Sequence, residues 1–299
     1  MSLPPIEQLT SRGEILAPGE GSLPPIEHEE HVRRIPNLGH AALFVGFAVL
    51  MVLLFTLASV MLGGVKASPN GAIGAVAHPR VLIFAQAGAY LATLIAAWLF
   101  FPMVWRRPFL EGLQWRWPAA QNRAGKLLSL GFVLGFVAAA ASAFIKTPKT
   151  LPLDKFLSTP TDAWFLVVFG IFVAPAFEEI CYRGFLLPAF AIAFDWVRLP
   201  RTPEAQRQWQ TSRVISGAGM IFATILSSIF FAMMHFEQDA HLWVVMLVLF
   251  CVSVVLTAVR VKTGSVAAST LVHAAYNSFQ LITLAVATGG FRHLDKIAG

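Results

Sequence analysis

Seven apolar blocks, separated by short polar connections, dominate this chain of 299 residues. They run from about 38 to 62, 81 to 105, 127 to 144, 163 to 194, 215 to 236, 242 to 259 and 266 to 287. Each is long enough to cross a hydrocarbon core of about 30 Å, which takes roughly 20 residues of helix. Only 13% of the residues are charged and 57% are hydrophobic, against roughly 25% charged in soluble domains. So few charges cannot cover a water-facing surface. The expected fold is all-α, a polytopic transmembrane bundle. It has seven helices, or eight if residues 184–197 cross separately after the acidic pair at 178 and 179. Gly131 and Gly135 give the third block a small-xxx-small face for close helix packing.

The net charge of +6 does not indicate nucleic acid, because the basic residues lie between apolar blocks and form no stripe. They read instead as orientation signals. With the N-terminus inside, the inner segments hold 15 of the 22 Lys and Arg residues, which predicts a cytoplasmic N-terminus. Residues 1–37 are polar and proline-rich, with Leu3–Glu7 repeated at Leu23–Glu27. They read as a disordered cytoplasmic tail rather than a signal peptide, so the first apolar block is expected to act as the insertion signal. His28 and His31 read as solvated. Cys181 and Cys251 read as small core hydrophobes without a disulfide. The expected organisation is a tail over 1–37, N-terminal membrane helices over 38–158, catalytic helices over 159–290 and a short tail over 291–299.

Polar side chains deep in a membrane helix cost at least about 2.5 kcal/mol when charged, so they mark candidate sites. Three groups occur here. Glu178, Glu179 and Arg183 interrupt the fourth block. Glu179 and Arg183, four apart, can pair along one face, whereas Glu178 points about 100° away and suits acid–base work in an apolar setting. Phe231 and His235 end the fifth block. His273 and Asn277 share a face of the seventh, with donors suited to an oxyanion. Burying these groups separately would be costly, and converging on one hydrated pocket reduces that cost. Peptide hydrolysis needs a base for water and donors for the oxyanion, and this set contains both.

The three stretches, in this order and within apolar helices, resemble the CAAX-protease and bacteriocin-processing family of intramembrane proteases, over about residues 160–285. The family pattern is a double glutamate with an arginine four residues after the second, then phenylalanine–x3–histidine, then histidine–x3–asparagine. The resemblance implies an intramembrane endopeptidase in a bundle of about eight helices. Glu178 would activate water with help from His235, His273 and Asn277 would stabilise the oxyanion, and Glu179 and Arg183 would support the site. It also implies a peptide or membrane-protein substrate, prenylated in the family's eukaryotic use. The expected location is the lipid bilayer of a bacterial inner membrane. A metal is an open alternative, with Glu178, His235 and His273 as zinc ligands. No His-Glu-x-x-His motif occurs, so the expected mechanism depends on glutamate without a cofactor. A catalytically silent scaffold or a transporter of the same fold is the competing class.

One tension follows from these spans. An upright fourth helix starting near Ala163 puts Glu178 about 22 Å from its outer end, while His235 lies near the outer end of the fifth. A tilted or broken fourth helix, or one starting beyond the outer face, would bring them together.

Overall fold

The computed structural model describes residues 33–62, 79–144, 156–157, 159–236 and 242–294. The repeat and the His28–His31 pair of the N-terminal tail fall outside them. Ten helices account for most of the described chain. They are α1 (Leu38–Met61), α2 (Pro79–Trp105), α3 (Phe109–Gly112), α4 (Trp117–Gln121) and α5 (Ala124–Ser142); α6 (Pro160–Arg198); and α7 (Pro203–Thr211), α8 (Gly217–Met234), α9 (Trp243–Thr263) and α10 (Val266–Ala287). Among the described residues, α1, α2, α5, α6, α8 and α9 are long and apolar enough to cross a membrane. Their outer faces carry exposed Leu, Val and Phe, such as Leu53, Leu57, Phe136 and Phe172, as lipid contact requires. The protein is an integral membrane protein. The expected seventh span, α10, has the right length but carries Ser269, Thr270, His273, Asn277, Ser278 and Gln280. It falls short in hydropathy because much of it faces α5, α6 and α9.

Helix α6 resolves the choice between one long helix and two half-helices. It runs unbroken for 39 residues, about 58 Å, so residues 184–197 do not cross separately. Two wider π-helical segments, Phe169–Val173 and Ile180–Leu186, bracket an α-helical turn at Ala174–Glu179. A proline follows each segment, at positions 175 and 188. Proline lacks the N–H that would bond a carbonyl in the preceding turn, and such interruptions are accommodated by local π geometry. Arg183 therefore lies inside the bundle, fully buried. It is not the loop charge that the orientation count made it, although the bias of the remaining basic residues persists.

The ends of the helices are secured by their own caps. Asn37 and His40 form a reciprocal capping box at the start of α1. Thr159 caps α6, and Asp162 in its first turn pairs with Arg80 at the start of α2. Gly264, at φ +62°, closes α9 in the left-handed conformation that glycine adopts freely. Ser265 then caps α10 through the Ala268 N–H at 3.3 Å.

Helix α5 runs parallel to α10 in close contact. A Cβ on Gly131 would lie 2.5 Å from Ala275 Cβ, and one on Gly135 would lie 2.7 Å from Phe279 Cβ. The small-residue face expected of the third block is therefore where the site helix docks. Helix α8 packs antiparallel to the second half of α6, with Phe194 against Phe222, Phe190 against Phe230 and Tyr182 against Phe231. The end of α8 thus meets the middle of α6, whose first half continues beyond it. This is the arrangement of a fourth helix that starts beyond the outer end of the fifth. Phe44, Phe101, Trp105, Phe109 and Phe185 form a buried aromatic cluster beneath this region.

Cys181 and Cys251 are unpaired, but Cys251 is exposed on the outer face of α9, not in the core. Phe291, the first residue of the short tail over 291–299, is fully buried against Trp164.

Candidate active site

The acidic pair occupies the short α-helical turn between the π segments of α6, where consecutive side chains diverge. Glu179 is fully buried. Its Oε1 accepts from Arg183 Nη1 at 2.8 Å and lies 3.0 Å from His273 Nδ1. Arg183, also fully buried, reaches α9 by donating through Nη2 to the Ser253 hydroxyl at 2.7 Å and the Ser253 carbonyl at 2.9 Å. Ser253 in turn donates to Ser228 Oγ at 3.0 Å. One carboxylate thereby ties α6 to α8, α9 and α10. A buried ion pair gains stability only when its remaining polar atoms are also bonded, and this network supplies most of those bonds.

Glu178 faces the other side of His273. Its Oε2 is buried without a hydrogen-bond partner among the described residues, 3.8 Å from His273 Nε2. The imidazole therefore stands between two glutamates. Its Nδ1–H donates to Glu179 in the tautomer that satisfies that contact, which leaves Nε2 directed at Glu178. A carboxylate that orients a histidine, which in turn faces a second reactive group, is a recurring catalytic arrangement. A water about 2.8 Å from each of Nε2 and Oε2 would fit at the apex of a triangle on the 3.8 Å base.

Asn277, one turn along α10 from His273, donates through Nδ2 to the Gly170 carbonyl at 2.7 Å. That carbonyl lies in the first π segment, five residues before Pro175, whose missing N–H leaves it free to accept. One amide hydrogen of Asn277 is so engaged, and the other remains for a ligand.

His235 takes a different position. It is the C-cap of α8, with its Nδ1 2.9 Å from the Phe231 carbonyl. The buried Phe231 ring lies 5.0 Å from the His235 ring and 5.7 Å from the His273 ring, so it is wedged against both. Arg183 sits 4.9 Å from the same ring centre, a cation–π contact. The glutamate pair, His273 and Asn277 come together along the α6–α10 seam. His235 approaches from across Phe231, and His273, not His235, is the imidazole facing Glu178. The described residues contain no group of three His, Cys, Asp or Glu side chains that could hold a metal ion. Glu178, His235 and His273 form no such group among the described residues.

Sequence reasoning missed the π segments and the short helices α3 and α4. The signals were present as Pro175, Pro188 and Pro108.

Residues 160–279 match the family described as Type II CAAX prenyl endopeptidase Rce1-like. The matched segment contains Glu178, Glu179, Arg183, His235, His273 and Asn277. No curated protein and no solved structure matches the chain.

Proposed function

We propose that the protein is an intramembrane endopeptidase in which Glu178 and His273 activate one water against a peptide carbonyl. The observation that carries this reading is the His273 ring, held by Glu179 on one nitrogen and facing Glu178 with the other. Glu178 takes a proton from the water as its oxygen attacks. The free amide hydrogen of Asn277 meets the negative charge that develops on the carbonyl oxygen. The proton held between Glu178 and His273 then passes to the departing amine, which leaves a new carboxylate and a new N-terminus. His235 lies across the Phe231 ring from His273. The substrate is a peptide or the tail of a membrane protein, and the family match supports a prenylated one. The basic side of the bundle is the cytoplasmic side of a plasma membrane.

The test is to incubate the protein in lipid nanodiscs with prenylated-cysteine peptides and to read the products by mass spectrometry. Cleavage by the wild type and its loss in Glu178→Gln is the expected result. Undiminished cleavage by Glu178→Gln would overturn the role given to Glu178.

A further inference from the structure

A groove of about 570 Å³ lies away from the Glu178–His273 site, between the start of α1, the last turns of α6 and helix α7. Arg34, Leu38, Gly39, Ala193, Trp196 and Trp209 are among its walls. It straddles the edge of the apolar layer. Leu38 begins the apolar run of α1, and Val197 beside it on α6 is 76% exposed. Small residues keep the groove open. A Cβ on Gly39 would meet only Asn37 Oδ1, at 3.4 Å, among the described residues.

Arg34 is the cation of this groove. Its guanidinium carbon lies 3.6 Å from the centre of the Trp209 ring. Its Nε and Nη2 donate to the Trp209 carbonyl at 3.4 and 3.3 Å, its Nη1 to the Val214 carbonyl at 3.2 Å, and its Nη2 also to the Ser212 carbonyl. These carbonyls fix the side chain but cancel none of its charge. One Nη1 hydrogen is left over among the described residues. Asp195, the carboxylate whose charge reaches Arg34, already accepts from the Ser216 N–H at 2.8 Å and from the Ser216 hydroxyl. Exposed Arg198, Arg201, Arg207 and Arg213 surround the groove, and Glu204 is the one other acid between residues 195 and 213. Arg201 lies 4.9 Å from the centre of the Trp196 ring. Tryptophan sits preferentially at the boundary between hydrocarbon and water, and clustered arginines there attract anionic headgroups.

We propose that this groove binds an anionic phospholipid, with its phosphate at Arg34 and Arg201 and the upper part of an acyl chain along Leu38, Gly39, Ala193 and Val197. The pairing of a fixed cation with an apolar channel selects this occupant, because a water-soluble anion would leave the channel uncovered. The bound lipid joins α1, α6 and α7 on the basic side of the bundle.

The experiment titrates the full-length protein in detergent with dioleoylphosphatidylglycerol and, separately, with dioleoylphosphatidylcholine, which has the same chains and no net charge. Native mass spectrometry reads the affinity of the first lipid bound. The expected result is an affinity about tenfold higher for phosphatidylglycerol. Arg201→Gln should bring the two lipids to within about threefold. Gly39→Leu fills the channel without changing any charge, at an exposed helix position where leucine is favoured over glycine, and it should weaken phosphatidylglycerol binding about tenfold. Equal affinity for the two lipids in the wild type would overturn the proposal. A preference that survives Gly39→Leu would overturn it too, since it would reflect diffuse surface charge and not the groove. Inorganic phosphate that displaced phosphatidylglycerol would reduce the site to a bare anion seat. Displacement by a peptide of residues 1–32, which carries six glutamates, would assign the groove to the N-terminal tail instead. Arg201 and Gly39 are not part of the Glu178–His273 site, so each result bears on the groove alone.

Discussion

His273 Nδ1 lies 3.0 Å from Glu179 Oε1 while its Nε2 lies 3.8 Å from Glu178 Oε2. Two adjacent glutamates thus do different work. One is fully buried and committed to a histidine and an arginine, and the other keeps an oxygen without a partner among the described residues. Their separation follows from the 100° step between neighbouring helix positions, and the flanking π segments direct that turn toward α10.

Glu179→Gln keeps the shape but removes the charge that orients the imidazole. The expected result is a kcat about 10- to 100-fold lower, the usual cost of losing such an orienting partner, with KM little changed. Arg183→Ala leaves Glu179 buried without its cation and should destabilise by about 3–5 kcal/mol, read as a large drop in the thermal midpoint in detergent. If Glu179→Gln raised KM and left kcat alone, the carboxylate would belong to substrate binding instead.

Asn277→Ala removes the bond to the Gly170 carbonyl as well as the hydrogen offered to the oxyanion. A stability loss of about 1 kcal/mol accounts for the first. The second predicts a kcat drop of about 100-fold or more. Thermal melts and steady-state kinetics on one preparation separate the two, and a change confined to stability would make Asn277 a packing residue.

Gly131→Val tests how far the site depends on the α5–α10 contact. The added side chain meets the Val272 carbonyl and Ala275 Cβ, backbone and side chain of the helix that carries His273. It should cost about 1–3 kcal/mol by overpacking and lower kcat by displacing His273 against α6. Gly125→Ala, at the open start of α5 where a Cβ meets nothing within 4 Å, serves as the control and should leave both unchanged.

Chelation tests the alternative ligand set. The arrangement of Glu178, His235 and His273 around Phe231 predicts that cleavage persists after dialysis against a chelator. His235→Gln is expected to lower kcat less than His273→Gln does. Loss of activity on chelation with recovery on adding zinc would reverse that assignment.

The sequence exposed much of this, for physical reasons that differ by feature. Membrane helices announce themselves through unbroken apolar runs, so α1, α2, α5, α6, α8 and α9 were readable to within a few residues. The Glu179–Arg183 pair and the Gly131–Gly135 face follow from helical spacing alone. The partner of Glu178 does not. Whether His235 or His273 faces it depends on the rotation of three helices and on the Phe231 ring between the imidazoles, neither of which spacing encodes. Helix α10 was found by its length, but its polar side chains hid that it is lined by α5, α6 and α9. Arg260 counts among the orientation charges by its place near the end of an apolar block, yet it is buried, and its seven-residue spacing from Ser253 puts it on the same face of α9. The short helices α3 and α4 lack the length that makes a pattern visible.

The most direct test of the account is a double-mutant cycle on Glu178 and His273, measured as kcat/KM for peptide cleavage in nanodiscs. If the two side chains act as a unit on one water, Glu178→Gln and His273→Gln each lower kcat/KM by about 10²–10⁴-fold, and the double variant is about as slow as the slower single. If the two losses multiply in the double variant, the side chains act independently, and the shared-water mechanism is contradicted.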